Sequence, residues 1–592
     1  MTDINKYLKG PVSLLDIPLK VDHLGVISSF FDKTGLVKFI DDLLPQSNEH
    51  KITHGEAFKY LTLAAFSKIE PSYYSFTQIL KNTALLLFFR PELDIHSFTD
   101  ESLASFIEAV YEYGAENFFL QIVHHLTPQV KPFLDFDHLH IDNTNFTIYD
   151  VDSDHEDDSD HEDNSDYEEE KDFTGKIATI ESGLPKDKYF SKKYISVTLV
   201  TNSYGIPIFM KNLPETLYDY KKQRIVLPEL FHYIKNTLIN EKEPIFIFGP
   251  SFYNKENVRD FPGNFITKIS EKIKDIRNLI FSNMKMQTME SDPRYSFYEI
   301  KSSYGDVSQT WVLVHFAELK EKRQSIFEQK ISKEMSKEME KVKAALKTLE
   351  NHPFLSEKKA MWGATNFIDK QKLCAFEKIE IIEKDISIEG KGERTKGSNI
   401  TVKNYFVKGT LCFNFEAVEK EKLSLERFVL GTNNLSFTPQ EIIGYYKERS
   451  LSVICNNYIK DNNVSIPETL LKSPERIEGL SCFIALNMLI STLLETKLRN
   501  NLEKSGKVFY NYLEKPSTRP TLTEAFNKLS GINGYIFLDN TTKEFYFKIK
   551  TPQFESFTTL LEQFNLLDMY MSLKIKISYD TADLIMYNFN NP

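Results

Sequence analysis

The sequence predicts a mixed α/β protein: a mixed sheet with helices packed on it, a helical N-terminal domain, and a strand-rich insertion carrying one long helix. Three observations predict it. Residues 20 to 130 place apolar residues at helical spacing. From Phe133 onward, a hairpin pattern is followed by short apolar runs that alternate with helical segments. Within a second strand-rich stretch, residues 318 to 350 form one continuous amphipathic helix pattern.

The elements follow in order. LGVISSFFDKTGLVKFIDDLL ends before Pro45, and THGEAFKYLTLAAF and DESLASFIEAVYEYGAENFFLQIVHHL repeat its spacing, the last with Thr99 or Asp100 as N-cap. HLHIDNTNFTIYD alternates along one strand. YISVTLVTNSYGIPIFMKNL reads as two strands around a turn at Asn202 to Gly205. EPIFIFGPSFY is a short apolar strand stopping at Gly249-Pro250, a helix lies around Lys222 to Leu238, and GNFITKIS is a further strand. FYEIKSSYGDVSQTWVLVHF reads as a strand pair. In the long helix that follows, about 48 Å in length, Ile331, Met335, Met339, Val342, Leu346 and Leu349 form an apolar stripe. That stripe fits an arm packed on its own domain better than an intermolecular coiled coil. GSNITVKNYFVKGTLCFNFEAV and RFVLGTNN return to strand alternation, and from Thr438 the chain is helical again. The apolar run near Leu480 to Leu494 is interrupted by Ser and Asn and reads as a buried helix rather than a membrane span. The boundaries expected are a helical domain over 1–130, a first core part over 131–290, an insertion over 291–430, a second core part over 431–512 and a small C-terminal domain over 513–592.

Composition narrows the class. At 592 residues, 41% apolar and 26% charged, the chain has material for about four domain-sized units and is no collagen, disulfide scaffold or wholly disordered chain. Cys374, Cys412, Cys455 and Cys482 form no CxxC pair, which fits a reducing cytoplasm. The opening MTDINKYLKGPV lacks the apolar core of a signal peptide. The net charge of −12 is concentrated: residues 150 to 170 hold 13 carboxylates and no Lys or Arg, and without them 71 acids face 72 bases. The units SDHEDD, SDHEDN and SDYEEE repeat like charge and read as a solvated, disordered insert over 150–172. His155 and His161 within it are weak candidate metal ligands.

Four segments in this order resemble the bacterial insertion-sequence transposases of the DDE type, cut-and-paste enzymes with a ribonuclease H-like core. HLHIDNTNF looks like the first catalytic strand with Asp142 at the aspartate position. VTLVTNSYGIPIFMKNLPETLYD resembles the hairpin arm, and FIFGPSFYNKENV with FITKIS the strand that ends in the second aspartate. In the helix from Tyr446, Tyr446, Arg449 and Lys460 fall at the spacing of the family's Tyr-x2-Arg-x3-Glu-x6-Lys motif. The stretch after TWVLVHFAELKEKR and the late PTLTEAF also resemble the subgroup with a helical N-terminal domain, so the likeness runs from about residue 20 to 575. It implies a ribonuclease H-like sheet and DNA transposition, with two Mg²⁺ ions clamping the attacking and leaving oxygens of an in-line displacement at a phosphodiester. It also implies Tyr446, Arg449, Lys460 and the hairpin lysines Lys192 and Lys193 on DNA phosphates. Lys186 is a further basic position kept in the hairpin approach.

The chain departs from the pattern where the metal ligands belong. Gly249 stands at the second aspartate position and Val453 at the motif glutamate, leaving Asp142 as the one surviving metal acid. Glu448 precedes Val453 by five residues and points about 140° away around a helix. Asp461 is two turns further on, Asp260 lies well past the strand end, and Ile454, Cys455 and Asn456 are poor Mg²⁺ ligands. The expectation is a DNA-binding member of the family, in the bacterial cytosol with the nucleoid and off membranes, that partners double-stranded transposon ends, forms a homodimer, and has lost Mg²⁺ binding and strand cleavage. The alternatives are an active enzyme using substitute carboxylates and a protein-interaction scaffold without DNA affinity.

Overall fold

The computed structural model describes residues 12–46, 51–67, 88–90, 93, 97–130, 133, 137–149, 192–213, 219–237, 243–316, 318–389, 399–447, 474–511, 513–539, 544–550, 560, 562, 564 and 574–577. The fold is mixed α/β, with many helices and a large mixed sheet. It divides into two compact units, Met1–Ile266 with Gly444–Pro592, and Thr267–Ile443.

In the first unit, helices Leu24–Thr34, Leu36–Leu43, His54–Phe66, Asp100–Tyr113 and Ala115–His125 carry the apolar spacing seen in the sequence. Their ends have local causes. Gly35, at φ +64°, closes the first helix in the left-handed conformation that costs glycine least. Thr53 with Glu56 and Thr99 with Ser102 form capping boxes, each satisfying two otherwise orphaned backbone donors. These helices share one apolar core with helix Pro474–Ser505, in which Phe58 meets Phe483 edge to face at 6.0 Å. Pro474–Ser505 is long and apolar enough to cross a membrane by length and composition, and its apolar stretch is buried inside the protein. Lys59 is buried in the same helical layer. Its ammonium donates to Asp32 at 2.8 Å and to the Phe88 carbonyl at 2.7 Å, which offsets the cost of burying a charge.

The chain's ends meet in a four-stranded antiparallel sheet. Strand Val12–Lys20 pairs with Asn533–Asp539, which pairs with Glu544–Lys550, which pairs with Lys574–Ile577. The N-terminal helices and the last 60 residues of the chain therefore belong to one unit.

The first unit's part of the mixed sheet runs in the order Pro207–Leu213, Lys192–Thr201, His138–Tyr149, Ile245–Phe248. The first three strands are antiparallel neighbours, and Ile245–Phe248 lies parallel to His138–Tyr149. The turn at 202–205 is held by Asn202. Its carboxamide oxygen accepts from the Tyr204 and Ile206 amides at 3.1 Å, and its nitrogen donates to the Phe133 carbonyl at 2.6 Å.

In the second unit, Arg427–Thr432, Val307–Phe316, Tyr295–Tyr304 and Gln287–Thr288 are sheet neighbours in that order. Gly305 and Asp306, at φ +59° and +62°, make the two-residue turn whose twist matches a hairpin. Helix Glu318–Glu350 occupies the span read from its stripe. Ile331, Met339, Val342 and Leu346 are buried, against Leu373, Val418 and Cys374 for the first three. Leu349 packs against Ala360, Ala364 and Val407. The stripe is thus occupied within its own unit, as the arm reading requires. The long hairpin Cys374–Glu389 with Asn399–Phe413 lies beside it.

Candidate functional site

Asp142 lies on the strand His138–Tyr149, which has neighbours on both sides: antiparallel Lys192–Thr201 and parallel Ile245–Phe248. This explains one departure from the sequence pattern. Leu139, His140 and Ile141 are buried in succession, rather than alternating, as consecutive residues are where a central strand is covered on both faces. Asp142 is half-buried and pairs in register with Leu199. Next to it, the Asn143 carboxamide oxygen accepts from the Thr198 hydroxyl at 2.6 Å.

The parallel register is the informative feature. His138, Leu139, His140 and Ile141 pair with Ile245, Phe246, Ile247 and Phe248. Asp142 and Gly249 each stand one residue beyond the last of these rungs. The sheet thus brings Asp142 level with Gly249, which is buried. Phe248, the residue before it, shares a face with Phe246 and lies in an aromatic cluster on the other side of the sheet. Phe248 stacks on Phe252 at 3.9 Å, Phe261 meets both edge to face at 5.3 and 5.5 Å, and Phe265 meets Phe252 at 5.2 Å.

The carboxylates further along are already engaged. Arg224 pairs with Glu256 at 2.8 Å and with Asp260 at 3.5 Å, and Arg259 pairs with Asp260 at 2.8 Å. The Arg259 hydrogen bond is the chief cause holding the Asp260 carboxyl below the usual carboxylate range, and the charges of Arg259 and Arg224 add to it. Among the described residues no group of three His, Cys, Asp or Glu side chains converges as metal ligands.

Tyr446 lies near the end of a helix over 439–447. Its neighbour Tyr445 packs on His138, with ring centroids 4.2 Å apart, and so ties this helix to the start of the Asp142 strand. Sequence reasoning singled out neither partner, since nothing local signals a contact across about 300 residues. Arg449, Val453 and Lys460 lie outside the described residues, as do Lys186, His155 and His161. Lys192 and Lys193 open their strand opposite Tyr149 and Ile148. Lys193 is six residues from Leu199, the register partner of Asp142, or about 20 Å along the strand. The sheet does not bring these lysines to Asp142.

A second polar cluster sits where helix Ala115–His125, strand Pro207–Leu213, helix Asp219–Thr237 and helix Pro474–Ser505 meet. The Lys211 ammonium donates to Glu116 at 2.8 Å and pairs with Glu229 at 2.9 Å. Glu116 also accepts from the Asn212 amide at 3.1 Å, and the Ser481 hydroxyl donates to the Asn212 side chain at 2.6 Å. Burial pushes the Glu116 carboxyl above its ordinary range. Burial lowers Lys211, but its hydrogen bonds to the two glutamates outweigh this and hold it up. Burial also raises Glu478, with repulsion from Glu116 adding and Lys211 opposing. A carboxyl raised on folding keeps its proton where the unfolded chain has lost it, so its contribution to stability falls as pH climbs from the ordinary carboxylate range through the folded value. Glu478→Gln is therefore expected to stabilise the protein at pH 7 by up to about 1 kcal/mol. Urea unfolding should show the gain shrinking toward pH 4.5. A variant no more stable at pH 7 would mean that Lys211 fully compensates this charge.

The profile of a domain of unknown function (DUF4277) matches residues 18–124. A search of curated proteins finds no match. Among solved structures, the chain is similar to the cryo-EM structure of a piggyBac transposase synaptic complex with hairpin DNA, at 8% identity over 84% of this chain and 79% of that chain, with a TM-score of 0.31.

Proposed function

We propose that this chain is a transposase-family protein with a ribonuclease H-like core, that it binds double-stranded DNA, and that it has lost metal-dependent strand cleavage. The single observation that carries the reading is the level placement of Asp142 and Gly249 on adjacent parallel strands. A ribonuclease H-like site needs two acids on neighbouring strands and a third from a helix at the sheet end. The sheet supplies the scaffold for the first two. A hairpin lies on one side of the Asp142 strand, a parallel strand on the other, and Tyr445 of the motif helix packs on that strand's first residue.

The described residues do not fit Mg²⁺. This hard cation prefers several oxygen ligands, and level with Asp142 the adjacent strand offers a glycine, which has no side-chain ligand. Magnesium chemistry therefore forms no part of the reading. An active enzyme with substitute carboxylates would have to free Glu256 or Asp260 from Arg224 and Arg259. Tyr446, Arg449 and Lys460, at the motif spacing, hold duplex phosphates in this reading, a contact that positions DNA without cutting it. A homodimer on paired ends and a place with the nucleoid go with the same reading.

The test uses the full chain with duplexes carrying candidate terminal repeats, in Mg²⁺ and in Mn²⁺. Wild type and Asp142→Ala are both expected to leave the strands intact while retarding the duplex, with affinity falling steeply as salt rises. Metal-dependent nicking that Asp142→Ala abolishes would restore the active enzyme. Absence of duplex binding at low salt would leave the protein-interaction scaffold.

A further inference from the structure

Helix Glu357–Ile368, in the second unit, turns its small residues inward and its large ones outward. Ser356 caps it by accepting from the Lys359 amide. Ala360 and Ala364 are buried in one cluster with Val407 of the long hairpin. At Gly363 an added Cβ would lie 2.7 Å from the Phe354 ring, so glycine lets that ring close against the helix. At about 100° per residue, Lys358, Met361, Trp362, Thr365, Asn366 and Asp369 fall on the opposite side. All six are exposed. Asp369 is the C-cap and keeps helical φ and ψ, so it continues the stripe. Leu355, just before the N-cap, is exposed too.

Two features of this stripe lack a local cause. The first is apolar. Trp362 is 70% exposed, whereas the chain's other tryptophan, Trp311, is buried and donates its indole N–H to Gln309 at 3.1 Å. With Met361 beside it and Leu355 two turns before it, Trp362 makes a contiguous patch rather than a scattered surface residue. The second is the placing of charge. The macrodipole favours acids at a helix N-terminus and bases at the C-terminus. Lys358 in the first turn and Asp369 at the C-cap stand the other way round. Neither has an ion pair among the described residues.

We propose that this stripe docks on the same stripe of a second copy of the chain, the two helices running antiparallel about a two-fold axis. Such an interface must be self-complementary, and the stripe is. A base at one end and an acid at the other, with neutral residues between, bring Lys358 opposite the partner's Asp369 twice over. Each charge then also stands beside the partner's helix end that suits its sign. Trp362 lies near the midpoint between Lys358 and Asp369, so the two indoles meet at the axis, where an anchor residue counts most. A nucleic acid fits less well, because the stripe carries one base and one acid and has no net positive charge. One helix face is small for an interface, so the dimer is a weak one. The inference deepens the proposed homodimer by naming its surface, and it needs no DNA.

The test is analytical ultracentrifugation of the full chain at low salt, without DNA. Wild type is expected to pass from monomer to dimer with a dissociation constant on the order of 10 µM, as a small interface implies. Trp362→Ala should weaken the dimer about thirtyfold, the loss of a central tryptophan anchor. Lys358→Glu sets like charges opposite each other at both ends and should weaken it about tenfold. Lys358→Glu combined with Asp369→Lys should restore it. These charge changes suit the helix ends, so a lost dimer is not a lost fold, and thermal unfolding checks each variant. A wild type still monomeric at about 100 µM, tenfold above that constant, would overturn the proposal. So would a folded Trp362→Ala that dimerises like wild type, or a double variant that stays as weak as Lys358→Glu. Duplex retardation is scored separately. Its absence would remove the DNA-binding reading and leave a Trp362-dependent dimer standing. A dimer indifferent to these variants would remove this inference and leave the DNA-binding reading in place.

Discussion

Replacing Gly249 by aspartate is expected to make the protein's stability respond to Mn²⁺, where that of the wild type does not. Gly249 has φ −73° and ψ 173°, an extended conformation open to any residue, and it stands at the N-cap of the short turn Pro250–Phe252. Aspartate is among the preferred residues at such a position, so the substitution suits the local fold. Because the two strands are parallel and in register, residue 249 continues the rung beyond Ile141 and Phe248, level with Asp142. Two carboxylates at adjacent positions repel when both are ionised, which destabilises the metal-free variant. Mn²⁺ accepts carboxylate and water oxygens and relieves that repulsion. At a concentration a hundredfold above its dissociation constant, a ligand that binds only the folded state adds about 2.7 kcal/mol. Melting with and without Mn²⁺ checks this, with the double variant Asp142→Ala, Gly249→Asp as the control that should lose the response. A Gly249→Asp protein indifferent to the metal would mean that positions 142 and 249 do not open on one pocket. A wild type that responds would mean that other acids already form one.

What could be read from the sequence was local. The turn at Asn202, the short strand before Gly249 and the long helix of 33 residues are each written in contiguous periodicity, and each stands where the pattern puts it. Elements whose partners lie far away were not legible. Strand Val12–Lys20 is interrupted by Pro18 and shifts register between Leu15 and Pro18, so it lacks a clean alternation, and it pairs with residues more than 500 positions later. Strand Cys374–Glu389 mixes Ile with Lys and Glu and reads as a charged surface. Its face is defined by Val407 opposite Ile381 and by helix Glu357–Ile368, whose Ala360 and Ala364 are buried in the same cluster. Lys59 would be placed on a solvated face by type, yet it is buried beside Asp32. The candidate site divides the same way. The identities of Asp142, Gly249 and Val453 are plain in the sequence, whereas the level placement of Asp142 and Gly249 and the Tyr445–His138 contact emerge only from tertiary packing.

Gly479→Ala should be the more damaging of two outwardly identical changes, and the contrast bears on how the first unit is held together. Both Gly479 and Gly444 lie in helices, where alanine is intrinsically favoured over glycine by about 1 kcal/mol. At Gly444 an added Cβ meets no atom of the described residues within 4 Å, so the propensity gain should appear nearly in full. At Gly479 the same Cβ would lie 2.2 Å from the Ile107 carbonyl oxygen and 3.1 Å from its carbon. The obstacle is backbone of helix Asp100–Tyr113, which cannot rotate aside as a side chain can. Relief requires the two helices to move apart. Arg476 and Glu108, paired at 2.7 Å, flank that crossing, and buried Ile477 and Leu480 lie on either side of Gly479. A separation there opens the core shared by the N-terminal helices and Pro474–Ser505, so the cost should reach about 3 kcal/mol. Gly479→Val should exceed it and deplete soluble protein. Urea unfolding of the full chain checks both signs. Equal stability of Gly479→Ala and wild type would mean that the helices do not approach this closely, and that the N-terminal segment is anchored by its strand pairing at Asn533–Asp539 rather than by this crossing.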